Sequence, residues 1–323
     1  MHLTTRFSST IETAPESSRP GRAALLGCVA LGVVLISPPL AALEKNATVQ
    51  RTFTLTSQAG HRTLVVDNVM GSIDIQAVAG NTVELTLKQA FSARTAAELA
   101  RAQQEVVLEV NESAGRLELV QGGTWRCERQ GSDRDDAGVG RSDERRSRHR
   151  GCCCDQDERK YEAKFDWVLK VPRDLDLEVS NVNDGGIHIV GTVGHLEVRH
   201  VNDAVTLERV AGVVDALTVN GELKVEFASL PTADCKFGTV NGDIELAFPR
   251  GLGAELSFAT LNGEVYTDFP FAMAKLPATS ERSNSGGRHH HESGRETAAT
   301  IGSGGIGLDC NTVNGDIYIR ERS

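Results

Sequence analysis

The residues of this sequence best suited to acid–base chemistry or cation binding are carboxylates that recur through its C-terminal half. They are Asp184, Asp203, Glu222, Asp243, Glu264 and Asp316. Two carboxylates that converge on one groove can serve a polysaccharide hydrolase or lyase, and a row of them can bind calcium. These acids belong to a repeated motif, however, and a catalytic pair should break the repeat. The nonapeptide of calcium β-rolls is also missing. We therefore expect a solvated acidic face and no catalytic residue.

Cysteines near the two ends of a charged segment form a second candidate cluster. Cys127 lies near its start, and Cys152, Cys153 and Cys154 lie near its end. We favour a disulfide that closes the base of this segment, although sequence does not fix the pairing. Metal binding by the triplet with His149 and free thiols are the alternatives. The missing CxxC spacing argues against a tetrahedral metal site.

Histidines in a Gly- and Ser-rich stretch are a third candidate. His289, His290 and His291 precede Glu292, and such a cluster can bind a transition metal weakly. Neighbouring histidines in such a stretch are more often solvated, so we predict no specific metal site and no cofactor. Cys235 and Cys310 are isolated, and we expect both to be buried as small hydrophobic residues.

The carboxylates lie in a repeated sequence motif, which predicts the secondary structure around them. "TVNGDIEL" occupies residues 239–246 and "TVNGDIYI" residues 312–319. Aligned on asparagine, six copies are centred on Asn183, Asn202, Asn220, Asn241, Asn262 and Asn314. The intervals are 19, 18, 21, 21 and 52 residues, the last being one period plus an insertion. A sustained period near twenty is typical of a repeat architecture.

Apolar residues flank each asparagine with the periodicity of strands. We predict inner positions six, four and one residues before the asparagine and three residues after it. The residues directly before it are Val182, Val201, Val219, Val240, Leu261 and Val313. Each copy is therefore predicted to be two short strands joined by a bend at Asn-Gly.

Two all-β folds are compatible with this unit. Asn-Gly between alternating strands is a hairpin signal, which would give an antiparallel meander. A single-stranded β-helix, or β-solenoid, would instead stack equivalent strands of successive coils in parallel. We favour the solenoid, with coils of about 20 residues, because a meander does not need the same residue type at each register. The six asparagines would then form a structural turn ladder with hydrogen bonds from coil to coil.

These motifs carry a family resemblance. The recurrent VNG followed by an acid and an aliphatic residue, together with "VPRDLDLEVSNVNDGGIHI" at 171–189, resembles a bacterial family of candidate adhesin domains of unknown function. The likeness covers roughly residues 43–323 and is strongest at 165–270 and 306–320. It implies a single-stranded β-helix and surface adhesion, and it brings no catalytic residues.

The N-terminus has the pattern of a secretory signal. Arg19 and Arg22 precede the apolar run at 23–42, which ends in small residues. A basic flank, an apolar stretch and small residues at its end are typical of a signal peptide. We expect residues 1–42 to be a signal cleaved after Ala41 or Ala42. An uncleaved anchor is the alternative, because twenty apolar residues can just span a bilayer.

The remaining segments complete the predicted organisation. Residues 43–125 would be the N-terminal part of the solenoid, with Asn68 and Gly71 standing in for Asn-Gly. One short helix is predicted over 95–106, where Thr95 and Glu98 have the spacing of a capping box. Residues 126–160, dense in both charges, cannot bury enough surface to fold alone. Residues 161–323 would hold the repeats, interrupted by a second polar loop over 272–305.

Composition narrows the function. The net charge is −10 and the pI is near 5.4, which disfavours nucleic-acid binding. We predict a non-enzymatic protein exported to the periplasm, outer envelope or exterior, an adhesin or a scaffold or stress-associated protein. It would contact envelope or surface proteins or polysaccharides and no membrane after cleavage. A carbohydrate-active enzyme on a β-helix is the alternative.

Overall fold

A computed structural model describes residues 42–55, 62–124, 160–274 and 297–322 of the chain. The predicted signal peptide and most of both polar insertions lie outside these ranges. The predictions for Cys127, Cys152, Cys153 and Cys154 and for the histidines at 289–291 therefore also lie outside them.

The described residues form strands and one helix. In chain order the strands are β1 (Leu43–Thr54), β2 (Thr63–Asp67), β3 (Ile73–Val78), β4 (Thr82–Ala93), β5 (Val107–Ser113), β6 (Arg116–Gly122), β7 (Tyr161–Pro172), β8 (Asp176–Asn181), β9 (Ile187–Val190), β10 (Leu196–His200), β11 (Val205–Val210), β12 (Val214–Leu217), β13 (Leu223–Phe227), β14 (Cys235–Gly238), β15 (Ile244–Phe248), β16 (Ala254–Ala259), β17 (Val265–Thr267), β18 (Phe271–Ala274), β19 (Thr297–Ile301), β20 (Ile306–Asn311) and β21 (Ile317–Glu321). The helix α1 spans Ala96–Glu105.

The strands form two large mixed sheets, as expected for an all-β chain. The first sheet has the order β1-β4-β7-β3-β9-β11-β13-β15-β21-β17. The second has the order β18-β19-β16-β20-β14-β12-β10-β8-β2-β6-β5. Each repeat contributes one strand to the second sheet, bends at its asparagine, and contributes its next strand to the first sheet.

Equivalent strands of neighbouring repeats pair in parallel. In the second sheet Leu177 aligns with Leu196, which aligns with Val214. In the first sheet the row of aligned residues is Ile187, Val205, Leu223, Ile244, Ile317 and Val265. This pairing is incompatible with an antiparallel meander of the repeats. Apolar residues meet at the inner registers, and their side chains fill a shared interior between the sheets.

The spatial order of the repeats differs from their order in the sequence. The last repeat, β20 and β21, lies between the β14–β15 pair and the β16–β17 pair. The chain reaches this place through β19, which pairs antiparallel with one side of β16 while β20 pairs with the other. The connection passes the start of β16 in a turn where Gly302 and Gly304 have φ of 59° and 74°. Glycine adopts such values without steric cost.

The helix was predicted, and the structure contains it. The side chain of Thr95 accepts from the backbone N–H of Glu98, and the Glu98 side chain accepts from the backbone N–H of Thr95. This reciprocal capping box satisfies two amides at the helix start. Ala102 is buried against the core. Within the described ranges, no helix combines the length and apolarity that a membrane crossing requires.

Candidate functional site

The bends of the repeats form the most regular surface feature of the described residues. At each bend one asparagine faces the asparagine of the next repeat in space. The amide-to-oxygen distances are 2.7 Å for Asn202 to Asn183, 2.9 Å for Asn220 to Asn202, 2.8 Å for Asn241 to Asn220, 2.7 Å for Asn314 to Asn241, and 2.7 Å for Asn262 to Asn314. The structure therefore brings all six predicted asparagines into one line of five hydrogen bonds. Asn183 at one end only accepts, and each of the other five side chains donates to its neighbour on one side.

A second polar row lies inside the bends, and sequence reasoning missed it. It contains Asn68, Asn181, His200, Thr218, Thr239, Thr260 and Thr312. Thr239 donates to the carbonyl of Gly221, and Thr312 donates to the carbonyl of Gly242, each in the neighbouring repeat. These bonds satisfy carbonyls that the bend would otherwise leave without a partner. The sequence feature that could have revealed this row is the threonine that begins each "TVNG".

One prediction about the N-terminal part was wrong. Asn68 does not occupy the position of the ladder asparagines, because Met70 is the residue that bridges to Asn183. Asn68 instead belongs to the buried inner row, where its side-chain amide donates to the carbonyls of Gly71 and Phe165 over 3.0 and 3.3 Å. Gly71 does correspond to the motif glycine, since it directly follows Met70 at the bend.

The apolar residue before each asparagine was predicted to face the interior, and this was also wrong. Val219, Val240 and Val313 are more than a third exposed, and Leu261 is 74% exposed. Val182 and Val201 are half-buried. In the fourth repeat the alternation runs inward through Phe237 and Thr239 and so leaves Val240 outside. The valines therefore form an apolar stripe on the outside of the bends, beside the asparagine ladder.

The acidic residues form a shorter row than the sequence suggested. Glu222, Asp243, Asp316 and Glu264 directly precede residues that align across the first sheet, so these four share one register. Asp203 comes one position before this register and Asp184 two positions before it. Both directly follow the motif asparagine, where the other repeats have glycine. Asp184 has a φ of 54° and an ion pair with Lys164 at 3.0 Å.

The carboxylates of this acidic row bind backbone amides. Asp243 accepts the N–H of Asp316, and Asp316 accepts the N–H of Glu264, both at 2.8 Å. Two tyrosines follow on the same face: the rings of Tyr266 and Tyr318 stack with centroids 5.1 Å apart. The Tyr266 hydroxyl donates to Glu264 at 2.7 Å, and this bond raises the pKa of Tyr266 to about 12.

Cys235 and Cys310 lie in the interior, where each is paired in register with an apolar residue of the adjacent strand. Neither forms a disulfide. Burial raises the pKa of both thiols, which keeps them protonated and poorly nucleophilic. Among the described residues, no group of three or more His, Cys, Asp or Glu side chains is arranged to hold a metal ion.

An open groove of about 1110 Å³ lies beside the bends of β8 and β10. Its lining includes Arg199, His200 and Val201. The Arg199 guanidinium donates to both carboxylate oxygens of Asp215, at 3.0 and 2.9 Å. His200 accepts the N–H of Val201 at 2.7 Å and reaches the carbonyl of Gly185 at 3.0 Å. Both basic side chains already have partners within the chain, so the groove has no strong feature of an anion site.

No protein-family model and no curated protein matches this chain. Three solved structures are similar to it. A candidate cell adhesion protein from Clostridium sporogenes is 11% identical with a TM-score of 0.34, over 85% of this chain and 100% of that one. A candidate adhesin from Bacteroides fragilis is 10% identical with a TM-score of 0.37, over 85% and 97%. A candidate lipid-binding protein from Parabacteroides distasonis is 9% identical with a TM-score of 0.26, over 85% and 97%. At these scores the likenesses do not assign a family or an activity.

Proposed function

We propose that this chain is a non-enzymatic β-solenoid of the cell envelope or surface that acts as an adhesin or scaffold, including a stress-associated one. The observation that carries the proposal is the unbroken line of hydrogen bonds through the six bend asparagines. Such a line, together with the inner threonine row, ties each coil to its neighbours and favours a rigid, repetitive surface. Repetitive surfaces suit extended contacts with proteins or polysaccharides.

The carboxylates support a structural role over a catalytic one. Asp243 and Asp316 each use an oxygen to accept the backbone amide of the adjacent repeat, so the same arrangement occurs at two successive repeats of the stack. A hydrolase instead needs an acid and a base that converge on one reacting bond.

A carbohydrate-active enzyme is the alternative, and one observation favours it. The stacked Tyr266 and Tyr318 lie beside Glu264 and Asp316. Aromatic rings with polar tips suit surfaces that are part apolar and part wet, and a sugar ring is such a ligand.

Incubating the purified protein with acidic and neutral polysaccharides separates the two functions. We expect binding to some of them without new reducing ends or unsaturated products. Turnover that Asp316→Asn abolishes while the thermal unfolding midpoint stays unchanged would establish the enzyme and overturn the proposal. The same preparation tests export: we expect mass spectrometry to find the mature N-terminus at Ala42 or Leu43 in the envelope or medium. Full-length protein confined to the cytoplasm would contradict a surface role.

A further inference from the structure

The two facing sheets differ in length on the side where the repeat with Leu261 and Asn262 lies. The first sheet stops at β17, whereas the second continues past β16 with β19 and then β18. Neighbouring strands are about 4.8 Å apart, so the first sheet is about 10 Å short of the second. Within the described ranges, no strand of the first sheet faces β19 and β18.

Apolar side chains occupy the face that this shortfall leaves uncovered. Ile301 and Ala299 of β19 point inward and are buried. Phe271 and Met273 of β18 are paired in register with them, and paired residues of adjacent strands point to the same face of a sheet. Phe271 is 53% exposed and Met273 is 59% exposed. These two inner-facing side chains therefore remain in contact with water.

The backbone of β17 is also open on this side. The bonds between β17 and β21 use Glu264, whose carbonyl accepts from Ile317, and Asp268, whose N–H donates to Ile319. Because alternate residues of a strand direct their N–H and C=O to opposite sides, Gly263, Val265 and Thr267 face the open edge. An unpaired edge is a template for another strand.

The side-chain rows stop at this edge with acceptors facing outward. In the asparagine ladder Asn262 donates to Asn314, and among the described residues nothing donates to its own side-chain oxygen. In the acidic row Asp243 and Asp316 each accept an amide from the next coil, whereas within the described ranges the Glu264 carboxylate accepts only the hydroxyl of Tyr266. The outer ring face of Tyr266 has no further aromatic partner in the described chain.

We propose that this edge binds an extended, basic peptide strand of a partner protein, which adds to β17 in parallel and covers Phe271 and Met273. Backbone pairing would give the affinity, and side-chain rows would give the specificity, as in other cases of strand addition. An asparagine in the added strand would extend the ladder. Lysines at the two outward positions would meet the Glu264 carboxylate and the Tyr266 ring, where a cation is favoured. The acidic charge of the chain, −10, also favours a basic partner.

A second copy of the chain fits this edge poorly. Two β17 edges paired about a twofold axis would make the first sheets continuous. Each second sheet, however, projects two strands beyond β17, so the two projections would occupy the same space. The space beside β17 accommodates strands added to the first sheet, but not a partner that also carries its own second sheet. Strand addition at this edge does not require export or adhesion.

The test uses the full chain and a fluorescein-labelled, blocked peptide, TVNGKIKI, which follows the repeat motif with lysines at the two outward positions. Fluorescence anisotropy should show saturable binding, at least about tenfold tighter than for TVNGEIEI, because like charges facing each other disfavour the acidic peptide. Val265→Pro should abolish binding. It removes an N–H that points to the open edge, and proline is tolerated on edge strands in this orientation.

A second variant covers the case in which Val265→Pro does not fold. Glu264→Lys changes one exposed side chain and should reverse the preference, so that TVNGEIEI binds more tightly than TVNGKIKI. Equal binding of the two peptides, or binding of TVNGKIKI that neither variant alters, would overturn the proposal. A dimer detected by light scattering that Val265→Pro dissociates, with no binding of peptide, would also overturn it and assign the edge to a second copy. Failure here leaves the polysaccharide and export tests unaffected.

Discussion

At the end of the stack formed by β1, β4 and β5, the helix α1 packs on the core, whereas at the end formed by β17 and β18 two apolar side chains remain exposed. The helix end buries Ala102 and Val106 together with the aromatic cluster of Phe91, Phe165 and Trp167. The other end has the short edge strand β17 and the uncovered Phe271 and Met273.

This difference shows two ways in which a stack of paired strands can end, one closed by a helix and one left open. Stacked strands must end somewhere, and an open end exposes both backbone groups and core side chains. The helix end departs from the repeat in sequence and closes the interior. The β17 end keeps the repeat motif up to its last strand in the first sheet, so the edge of β17 resembles the edge that each inner strand of the repeats offers to its neighbour.

The largest expected effect separates the two ends by their aromatic residues. Phe165 is fully buried and contacts Phe91 and Trp167, so Phe165→Ala should lower the free energy of unfolding by about 3–5 kcal/mol. Phe271→Ala at the open end should lower it by less than about 1 kcal/mol, because the side chain is already half-exposed. Urea unfolding followed by circular dichroism measures both. Similar losses for the two variants would mean that Phe271 is covered in solution.

The motif glycines give the next effect. A Cβ at Gly221 would overlap the carbonyl oxygen of Asp203, and a Cβ at Gly263 would overlap that of Gly315. Gly221 lies between two neighbouring repeats and cannot move away, whereas Gly263 lies in the last repeat of the stack and has a neighbour on one side. Gly221→Ala should therefore cost about 2–3 kcal/mol and Gly263→Ala about 1 kcal/mol.

Gly80→Ala is the control for these glycine variants. Nothing lies within 4 Å of its Cβ position, although its φ of 134° strains any side chain. Gly80→Ala therefore measures the cost of backbone strain alone. Gly221 and Gly263 do not have positive φ, so their losses should come from the close approach of neighbouring repeats, and an unchanged stability of Gly221→Ala would contradict this.

Much of the inner architecture could be predicted from the sequence, because burial imposes residue types directly. The aliphatic positions six and four residues before each asparagine and three after it are mostly buried, as Leu177, Val198 and Ile244 illustrate. The Thr95–Glu98 spacing located the helix. The asparagine ladder was an expectation from the recurrence of one asparagine per repeat at a period near twenty residues.

Other features could not be predicted, for physical reasons. The position of Val240 depends on how alternation continues through a bend, and the bend is not a regular strand. The sequence does not show that β20 and β21 lie between strands that precede them in the chain. Nearly identical motifs can pair with either neighbouring repeat, so the motif alone does not fix the spatial order. The unequal ends of the sheets depend on β18 and β19, whose antiparallel pairing has no counterpart in the repeat. The candidate binding edge follows from that pairing.

The asparagine ladder gives a smaller effect that again depends on position. Asn241 donates to Asn220 and accepts from Asn314, whereas Asn262 takes part in one such bond. Each bond contributes about 1 kcal/mol or less, so Asn241→Ala should lower the thermal unfolding midpoint about twice as much as Asn262→Ala. Calorimetry of the two variants measures this. An unchanged midpoint for Asn241→Ala, together with lost ligand binding, would assign the ladder to recognition instead of stability.

The smallest expected effect concerns pH. It tests whether the repeats between the two ends make them unfold as one cooperative unit. His200 lies in a middle repeat, and burial lowers its pKa, a shift that the hydrogen bond to the Gly185 carbonyl and the nearby Asp203 carboxylate only partly offset. Its two ring nitrogens are engaged by the N–H of Val201 and the carbonyl of Gly185. The neutral ring satisfies both contacts, whereas protonation removes the acceptor that Val201 needs.

Because the folded state lowers the pKa of His200, the unfolded state binds the proton first as the pH falls. The stability that neutral His200 provides is therefore full above its unfolded pKa, about 6.5, and is lost progressively as the pH falls below that value toward the lower folded pKa. Comparing about pH 7 with about pH 5 samples this loss. Threonine occupies the equivalent position of the next repeat, at Thr218. His200→Thr should therefore remove this part of the pH dependence. Hydrogen–deuterium exchange at both pH values would show where the wild-type protein loosens. Faster exchange in β9 to β12 alone would mean that the helix end and the β17 end respond independently, whereas faster exchange throughout would mean that one cooperative unit joins them.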